Sequence, residues 1–320
     1  MMLGARGTSM NARNIGASVY AKLKNLARER QVDMPVMLKR YAQERLLYRL
    51  SVSPVASEFC VKGGLLLTAY NSGNLLRPTE DIDFNGFRRG TTLETLRRSL
   101  EQVIATPVDD DGVVFLPDTM NIKKEHTGII GGGKIVLVAR IHTANVEVRV
   151  DVGFGNAITP GARMLEMPTL LDGMAPRPLV LAYPLETVIS EKVHAMAMFG
   201  LANSRIKDFF DVWTLIRLHE FEAQPLVSAI ENTFEAQQRP VPDMPIACLT
   251  EEYARDKQVA WGLFLEKIDE REAIPFIDVI SDLSDFAWPI MTAAQSGSKI
   301  ELFWTPNTGW TKKPELAPMV

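Results

Sequence analysis

The sequence predicts an α/β fold of the α+β type, in which a mixed sheet carries helices and is followed by a mainly helical C-terminal region. Short apolar and β-branched runs recur between residues 59 and 152, and stretches with helical periodicity separate several of them. Beyond residue 184 the apolar residues recur at helical spacing. A length of 320 residues leaves room for about two domains.

The composition is ordinary for a soluble globular protein, with 46% hydrophobic and 23% charged residues. No apolar run approaches about 18 residues and no signal-peptide pattern is visible, so we expect no membrane association and a cytoplasmic location. Cys60 and Cys248 are the only cysteines. Their separation gives neither a disulfide framework nor a zinc spacing, which favours a reducing compartment.

The first segment, residues 1–55, is predicted to be helical and is strongly basic. Amphipathic helices are expected over 18–30 and 34–50. The first 50 residues contain ten Lys or Arg against three acidic residues, although the whole chain has a net charge of −4. Such a segment could contact RNA phosphates or an acidic partner. It could equally be a solvated helical face.

The second segment, residues 56–180, is predicted to be an α/β catalytic domain that starts with a strand, a glycine turn and a helix. Residues 59–61 form an apolar run that suits a buried strand, and residues 65–70 suit a helix. Between them, Gly63 and Gly64 allow a sharp turn and a close approach of the backbone to a ligand. The free amides at the start of the helix can then face a phosphate.

A pair of acids follows this unit, on the next predicted strand. In an extended chain Asp81 and Asp83 point to the same face, while Ile82 and Phe84 point into the core. Neighbouring carboxylates repel each other, and Mg²⁺ is a usual counterion for oxygen ligands of this kind. The alternative is that both are surface acids of an edge strand.

Further strands and a helix complete this segment. A helix is expected over 92–104, and strands over 113–116, 120–124, 134–141 and 146–152. Asp151 lies on the polar face of the last strand, where a third acid could complete a metal shell and help to deprotonate an attacking hydroxyl. Residues 159–178 are rich in Pro and Gly and are interpreted as a linker or a lip.

The third segment, residues 181–320, is predicted to be mainly helical and to contribute to the site. Lys192 lies within the apolar stripe of a helix over 184–199, so it either extends to water or meets an anion such as a triphosphate or a carboxylate. Asp208 and Asp211 share a face of the next helix, 204–219. They could alternatively only complement its dipole. Trp261 and Trp288 are expected in the core.

These motifs occur together in one known family. The stretches VKGGLLL, RPTEDIDF, VDVGFGNAITPG, YPLETVISEKVHAM and NSRIKDFFDVW, preceded by LKNLARER and RYAQERLLYRLS, resemble the AbiEii/AbiGii toxins. These are nucleotidyltransferase-like toxins of abortive-infection, type IV toxin–antitoxin systems. The resemblance implies a nucleotidyltransferase-fold catalytic half, in which the turn holds the triphosphate and the acids hold the metal, and a helical second half.

The resemblance also assigns expected roles to individual positions. Asp81 and Asp83 would bind Mg²⁺, or Mn²⁺ in its place, and Asp151 or Asp211 would assist deprotonation. Lys192, Asp208 and Asp211 match the later helical motifs of the family. The residues expected to contact the nucleotide are Lys62, Gly63, Gly64, Arg77, Thr79 and Asp208.

The function implied is that of a phage-defence toxin that transfers NMP from an NTP to RNA, such as the 3′ end of tRNA, and is encoded with a cognate antitoxin. Three alternatives stay open on the residues alone. The same site could modify a protein hydroxyl or a small molecule such as an aminoglycoside. The chain could also bind nucleotide or antitoxin without catalysis.

Overall fold

The protein has a mixed α/β fold, as the sequence predicts. The computed structural model describes residues 14–71, 77–87, 92–125, 132–270 and 272–312. The helices are α1 (Ile15–Glu29), α2 (Met34–Ser51), α3 (Gly63–Tyr70), α4 (Leu93–Ala105), α5 (Leu185–Phe199), α6 (Ile206–Leu218), α7 (Ala223–Ala236), α8 (Glu251–Lys267) and α9 (Phe276–Ser296).

Seven strands form the main sheet. They are β1 (Phe59–Lys62), β2 (Asp81–Gly86), β3 (Val113–Glu125), β4 (Gly132–Ile141), β5 (Ala144–Phe154), β6 (Arg163–Glu166) and β7 (Leu179–Ala182). Their spatial order is β3-β4-β5-β2-β1-β7-β6. The β2–β5 and β1–β7 pairs are parallel and the other pairs are antiparallel. The strands that carry the glycine turn and the acids are therefore central.

Alternation of buried and less buried residues sets the faces of these central strands. Ile82 and Phe84 of β2 are buried, whereas Asp81 and Asp83 are only partly so. In β5, Val148, Val150 and Val152 are likewise buried and Asp151 is on the other face. The predicted orientation of the three acids is confirmed.

The basic N-terminal segment is not a separate arm, because α2 packs against the sheet. Arg40, Arg45 and Arg49 of this helix are all buried. Arg49 donates two hydrogen bonds to the Asp111 carboxylate, at 2.7 and 3.0 Å. A buried cation is costly unless it is paired in this way. The arginines of α2 therefore make contacts inside the protein. Within the described part of this segment, the basic residues exposed as a group are those of α1 and its C-terminal end: Lys22, Lys24, Arg28 and Arg30.

Some predicted elements differ from those observed. Residues 159–178 are not only a linker, because they include β6, which pairs with β7. The two strand candidates around residue 118 are one strand, β3, with an irregular register between Leu116 and Asn121. Trp288 is half exposed and so does not belong to the core. The division into three segments stays a prediction, although β7 crosses its boundary at residue 180.

The C-terminal helices form an aromatic-rich layer that supports α5 and α6. Trp261 is fully buried and stacks on Phe276 with ring centroids 4.8 Å apart. A small sheet of β8 (Phe221–Glu222), β9 (Leu302–Thr305) and β10 (Gly309–Lys312) completes this half. The helices that carry Lys192, Asp208 and Asp211 are therefore rigidly placed. Among the described helices, none is long and apolar enough to cross a membrane.

Candidate active site

The site is built around the turn from β1 into α3. Gly63 has a φ of +74°, and a Cβ at this position would lie 1.9 Å from Oδ2 of Asp83. Only glycine tolerates both the backbone conformation and this close approach. The turn therefore brings the first amides of α3 directly beside the acid pair on β2.

Gly64 makes room for two residues that precede β2. A Cβ on Gly64 would lie 2.9 Å from Nη2 of Arg77 and 3.2 Å from Oγ1 of Thr79. Arg77 and Thr79 are thus placed over the glycine turn, and their expected contact with a nucleotide stays a prediction. Arg77 also lines the cleft above the turn, whereas the Thr79 hydroxyl is buried and has no hydrogen-bond partner within the described residues.

The acids and one lysine lie side by side across three strands. Asp83 is opposite Lys62 on β1 and opposite Asp151 on β5. Asp81 is two residues before Asp83 on the same face and lies opposite Arg149. The Asp151 carboxylate is 3.7 Å from Nζ of Lys134. The third acid is thus next to the pair, as predicted.

The electrostatics of this row suit a divalent cation. Burial raises the pKa of Asp83 to about 6, with further increases from Asp151 and Asp81 that Lys62 only partly opposes. Oδ1 of Asp81 is buried without a hydrogen-bond partner in the described part of the chain. Carboxylates whose negative charge is not fully balanced by nearby cations and hydrogen-bond donors are suitable Mg²⁺ ligands. No group of three or more potential ligands converges within the described residues, so phosphate and water would complete the shell.

Behind the turn lies a buried network of ion pairs. Nε and Nη2 of Arg77 each donate a hydrogen bond of 2.8 Å to the Asp211 carboxylate. Nζ of Lys192 lies 2.7 Å from both Asp208 and Asp211. Arg205 pairs with the second oxygen of Asp208. The network thus joins the loop before β2 to α5 and α6.

These pairs keep all members charged. Burial alone would raise the pKa of Asp211, but Lys192 and Arg77 outweigh it and hold the pKa below its ordinary value. In the same way Lys192 and Arg205 lower the pKa of Asp208 to about 2. Burial would lower the pKa of Lys192, yet the two aspartates raise it. Of the two anions expected for Lys192, the carboxylate is the one it contacts.

The sequence interpretation missed four residues of the site. Glu191 lies 3.3 Å from Nζ of Lys62 and accepts a hydrogen bond of 3.0 Å from the Tyr183 hydroxyl. Arg205 and Lys207 flank the entrance of the cleft. Glu191, Arg205 and Lys207 lie within three positions of Lys192 or Asp208, which was a usable signal, whereas nothing in the sequence indicated Tyr183.

The cleft above the turn is lined by an unusual number of cations. They are Lys62, Arg77, Lys192, Arg205 and Lys207. Three acids, Asp83, Glu191 and Asp208, line the same cleft. Cationic side chains next to the amide end of a helix form a binding site for polyphosphate, and the acid pair lies at its edge.

Comparisons with solved structures find chains of similar length at low sequence identity. JHP933 from Helicobacter pylori matches with 14% identity over 87% of this chain and 93% of that chain, at a TM-score of 0.43. MenT4, a nucleotidyltransferase toxin from Mycobacterium tuberculosis, matches with 16% identity over 88% and 99%, at a TM-score of 0.46. A search of curated proteins gives no match.

A family model gives the decisive result. The model described as "Nucleotidyl transferase AbiEii toxin, Type IV TA system" matches residues 45–288, which include the turn, the three acids and the ion-pair network. This range is well over half of the chain. The chain therefore belongs to the AbiEii family of nucleotidyltransferase toxins of type IV toxin–antitoxin systems.

Proposed function

We propose that this toxin transfers NMP from an NTP to a hydroxyl of RNA, with the 3′ end of tRNA as the acceptor to test first. The observation that carries the proposal is the meeting of an acid pair and a cation-lined cleft at the Gly63–Gly64 turn. The cleft suits the triphosphate, and the acids lie where its α-phosphate would approach. The family supplies the toxin class and implies an antitoxin partner.

The cleft residues would bind and orient the triphosphate. The first amides of α3, Lys62 and Lys207 face the cleft and would neutralise the phosphates. Nε and Nη2 of Arg77 donate hydrogen bonds to Asp211. Its Nη1 is close to the turn, because a Cβ built on Gly64 would lie 3.2 Å from it. This remaining donor edge lies over the turn, where a phosphate oxygen would bind.

The acids would provide the remaining functions. Asp81 and Asp83 would hold Mg²⁺, which stabilises the charge that develops on the α-phosphate and the pyrophosphate leaving group. Asp151 is the better placed of the two expected bases, because it is beside Asp83 and its side chain is 30% exposed. Asp211 is fully buried and both its oxygens accept hydrogen bonds, so we assign it the positioning of Arg77 and Lys192.

An RNA acceptor is favoured over a protein or a small molecule by the distribution of positive charge. The exposed basic residues of α1 end at Arg30, which lines the same large cleft as Arg77. A basic helix that leads towards the site can follow a phosphate backbone. A cytoplasmic location and a role in phage defence belong to the same proposal.

The test is incubation of purified toxin with Mg²⁺, total bacterial RNA and each α-labelled NTP in turn. Asp83→Asn removes a proposed metal ligand, and Asp109→Asn changes an exposed acid as a matched control. We expect label in tRNA-sized RNA with the wild type and the control, and none with Asp83→Asn or EDTA. Label on protein or on a small molecule would replace the proposed acceptor, and full activity of Asp83→Asn would refute the metal assignment.

A further inference from the structure

A second cleft lies next to the phosphate cleft and opens between the end of β5, α5 and α7. It has a volume of about 450 Å³, which is in the range of small-molecule sites of about 300–1,000 Å³. Lys62, Glu191 and Arg205 line both clefts. A ligand with its phosphates at the glycine turn would therefore extend directly into the second cleft.

The walls of this cleft suit a flat aromatic group. Met198 and Phe199 line it and are 42% and 50% exposed. Phe154 lines the opposite part, and its ring is held against Gly86, where a Cβ would lie 2.2 Å away. Aromatic and thioether side chains stack on nucleobases regardless of sequence.

Polar groups occur among these apolar ones. Nε2 of His194 is buried and has no hydrogen-bond partner within the described residues. The side-chain amide of Gln237 makes a long contact of 3.5 Å with Asn156, whose side chain also hydrogen-bonds Tyr183. A few polar groups with unused hydrogen-bonding capacity in an otherwise apolar cleft typically orient a ligand and select it.

Glu191 lies at the junction of the two clefts. Its side chain is 28% exposed, and its carboxylate contacts Lys62 on the phosphate side. A carboxylate between a phosphate site and a base site can accept hydrogen bonds from both ribose hydroxyls, as an acidic residue does in dinucleotide sites. This position would distinguish ribonucleotides from deoxyribonucleotides.

We propose that the second cleft binds the nucleoside of the incoming NTP, with the base between Phe154 and the Met198–Phe199 surface and the ribose at Glu191. This inference rests on the proposed function, because it assumes that the triphosphate binds at the turn. It adds the means by which the toxin recognises its nucleotide substrate.

The test measures binding and not transfer. The affinities of inorganic triphosphate, the four NTPs and the corresponding dNTPs are compared by calorimetry for the full chain. The double variant Met198→Ser, Phe199→Ser removes one wall at half-exposed positions. Leu201→Ser, at a residue that is 57% exposed and does not line the cleft, is the matched control. Circular dichroism and thermal melting verify that each variant is folded.

We expect the double variant to bind NTPs at least tenfold more weakly, while its affinity for inorganic triphosphate is unchanged and the control resembles the wild type. Glu191→Gln should reduce the preference for NTP over dNTP several-fold. Unchanged NTP affinity in the double variant would refute the assignment of this cleft to the nucleoside, but not the proposed function. If that variant kept its NTP affinity and lost RNA labelling, the cleft would be assigned to the acceptor. A wild-type protein that binds no NTP would refute the proposed function as well.

Discussion

Replacement of Asp83 by asparagine should abolish transfer and yet make the folded protein more stable. Asp83 is held in a position where burial and two neighbouring acids disfavour its charge. A change of pKa from 3.8 to about 6 corresponds to about 3 kcal/mol at about 1.36 kcal/mol per pKa unit. Asparagine keeps the shape of the side chain and removes the charge, so the variant should gain free energy of unfolding up to this size.

The gain should depend on pH in a defined direction. The folded-state pKa is raised, so protonation of Asp83 is favoured in the folded protein and its ionisation costs stability. Below about pH 3 the acid is neutral in both the folded and unfolded states, and the wild type and variant should be equally stable. The difference should grow between about pH 4 and pH 6 and then remain constant towards neutral pH.

The measurement is urea unfolding of both proteins at pH 4, 5, 6 and 7.5 in EDTA, and again in millimolar Mg²⁺. Mg²⁺ should stabilise the wild type, because a ligand that binds only the folded state adds to its stability, and should do little for the variant. Asp109→Asn should behave as the wild type throughout. If Asp83→Asn is less stable than the wild type at pH 7.5 without metal, the account of this acid is wrong.

Two further substitutions test the geometry of the site, and each has a control elsewhere in the chain. Gly63→Ala should prevent correct formation of the turn and eliminate activity, because its Cβ would overlap Asp83. Gly262→Ala is the control: this residue lies in open space on α8, so the substitution should raise the free energy of unfolding by about 0.5–1 kcal/mol in urea unfolding. Asp211→Asn should cost about 3–5 kcal/mol of unfolding free energy, because it leaves the buried Arg77 without its counterion and Lys192 with Asp208 alone. Glu147→Gln breaks an exposed ion pair and should change the free energy of unfolding by less than about 1 kcal/mol. Equal losses of stability in Asp211→Asn and Glu147→Gln would show that burial does not determine the cost of breaking an ion pair.

Local patterns in the sequence were sufficient for the turn and the acids. Alternation along β2 and β5 determines the face on which Asp81, Asp83 and Asp151 lie, and the glycine pair marks the turn, so these features follow from neighbouring residues. The β6 strand could not be predicted in this way, because four residues between prolines and glycines carry too little periodicity.

Contacts between distant residues were beyond the reach of this reasoning. The pairing of Arg77 with Asp211 spans 134 positions, and nothing in the spacing of either residue indicates it. The basic stretch around α2 was equally ambiguous. Charge composition does not distinguish an arginine that meets RNA from one that, like Arg49, is buried against an aspartate.

The buried ion-pair network has a consequence for the synthesis of the toxin. The glycine turn and the acid pair are synthesised early. The counterions of Arg77 and Lys192 are on α6, which begins more than 100 residues after the acid pair. Until α6 has left the ribosome, Arg77 has no buried counterion at the place where the site should close. The site would therefore be completed only late in translation, although its glycine turn and acid pair lie in the first third of the chain.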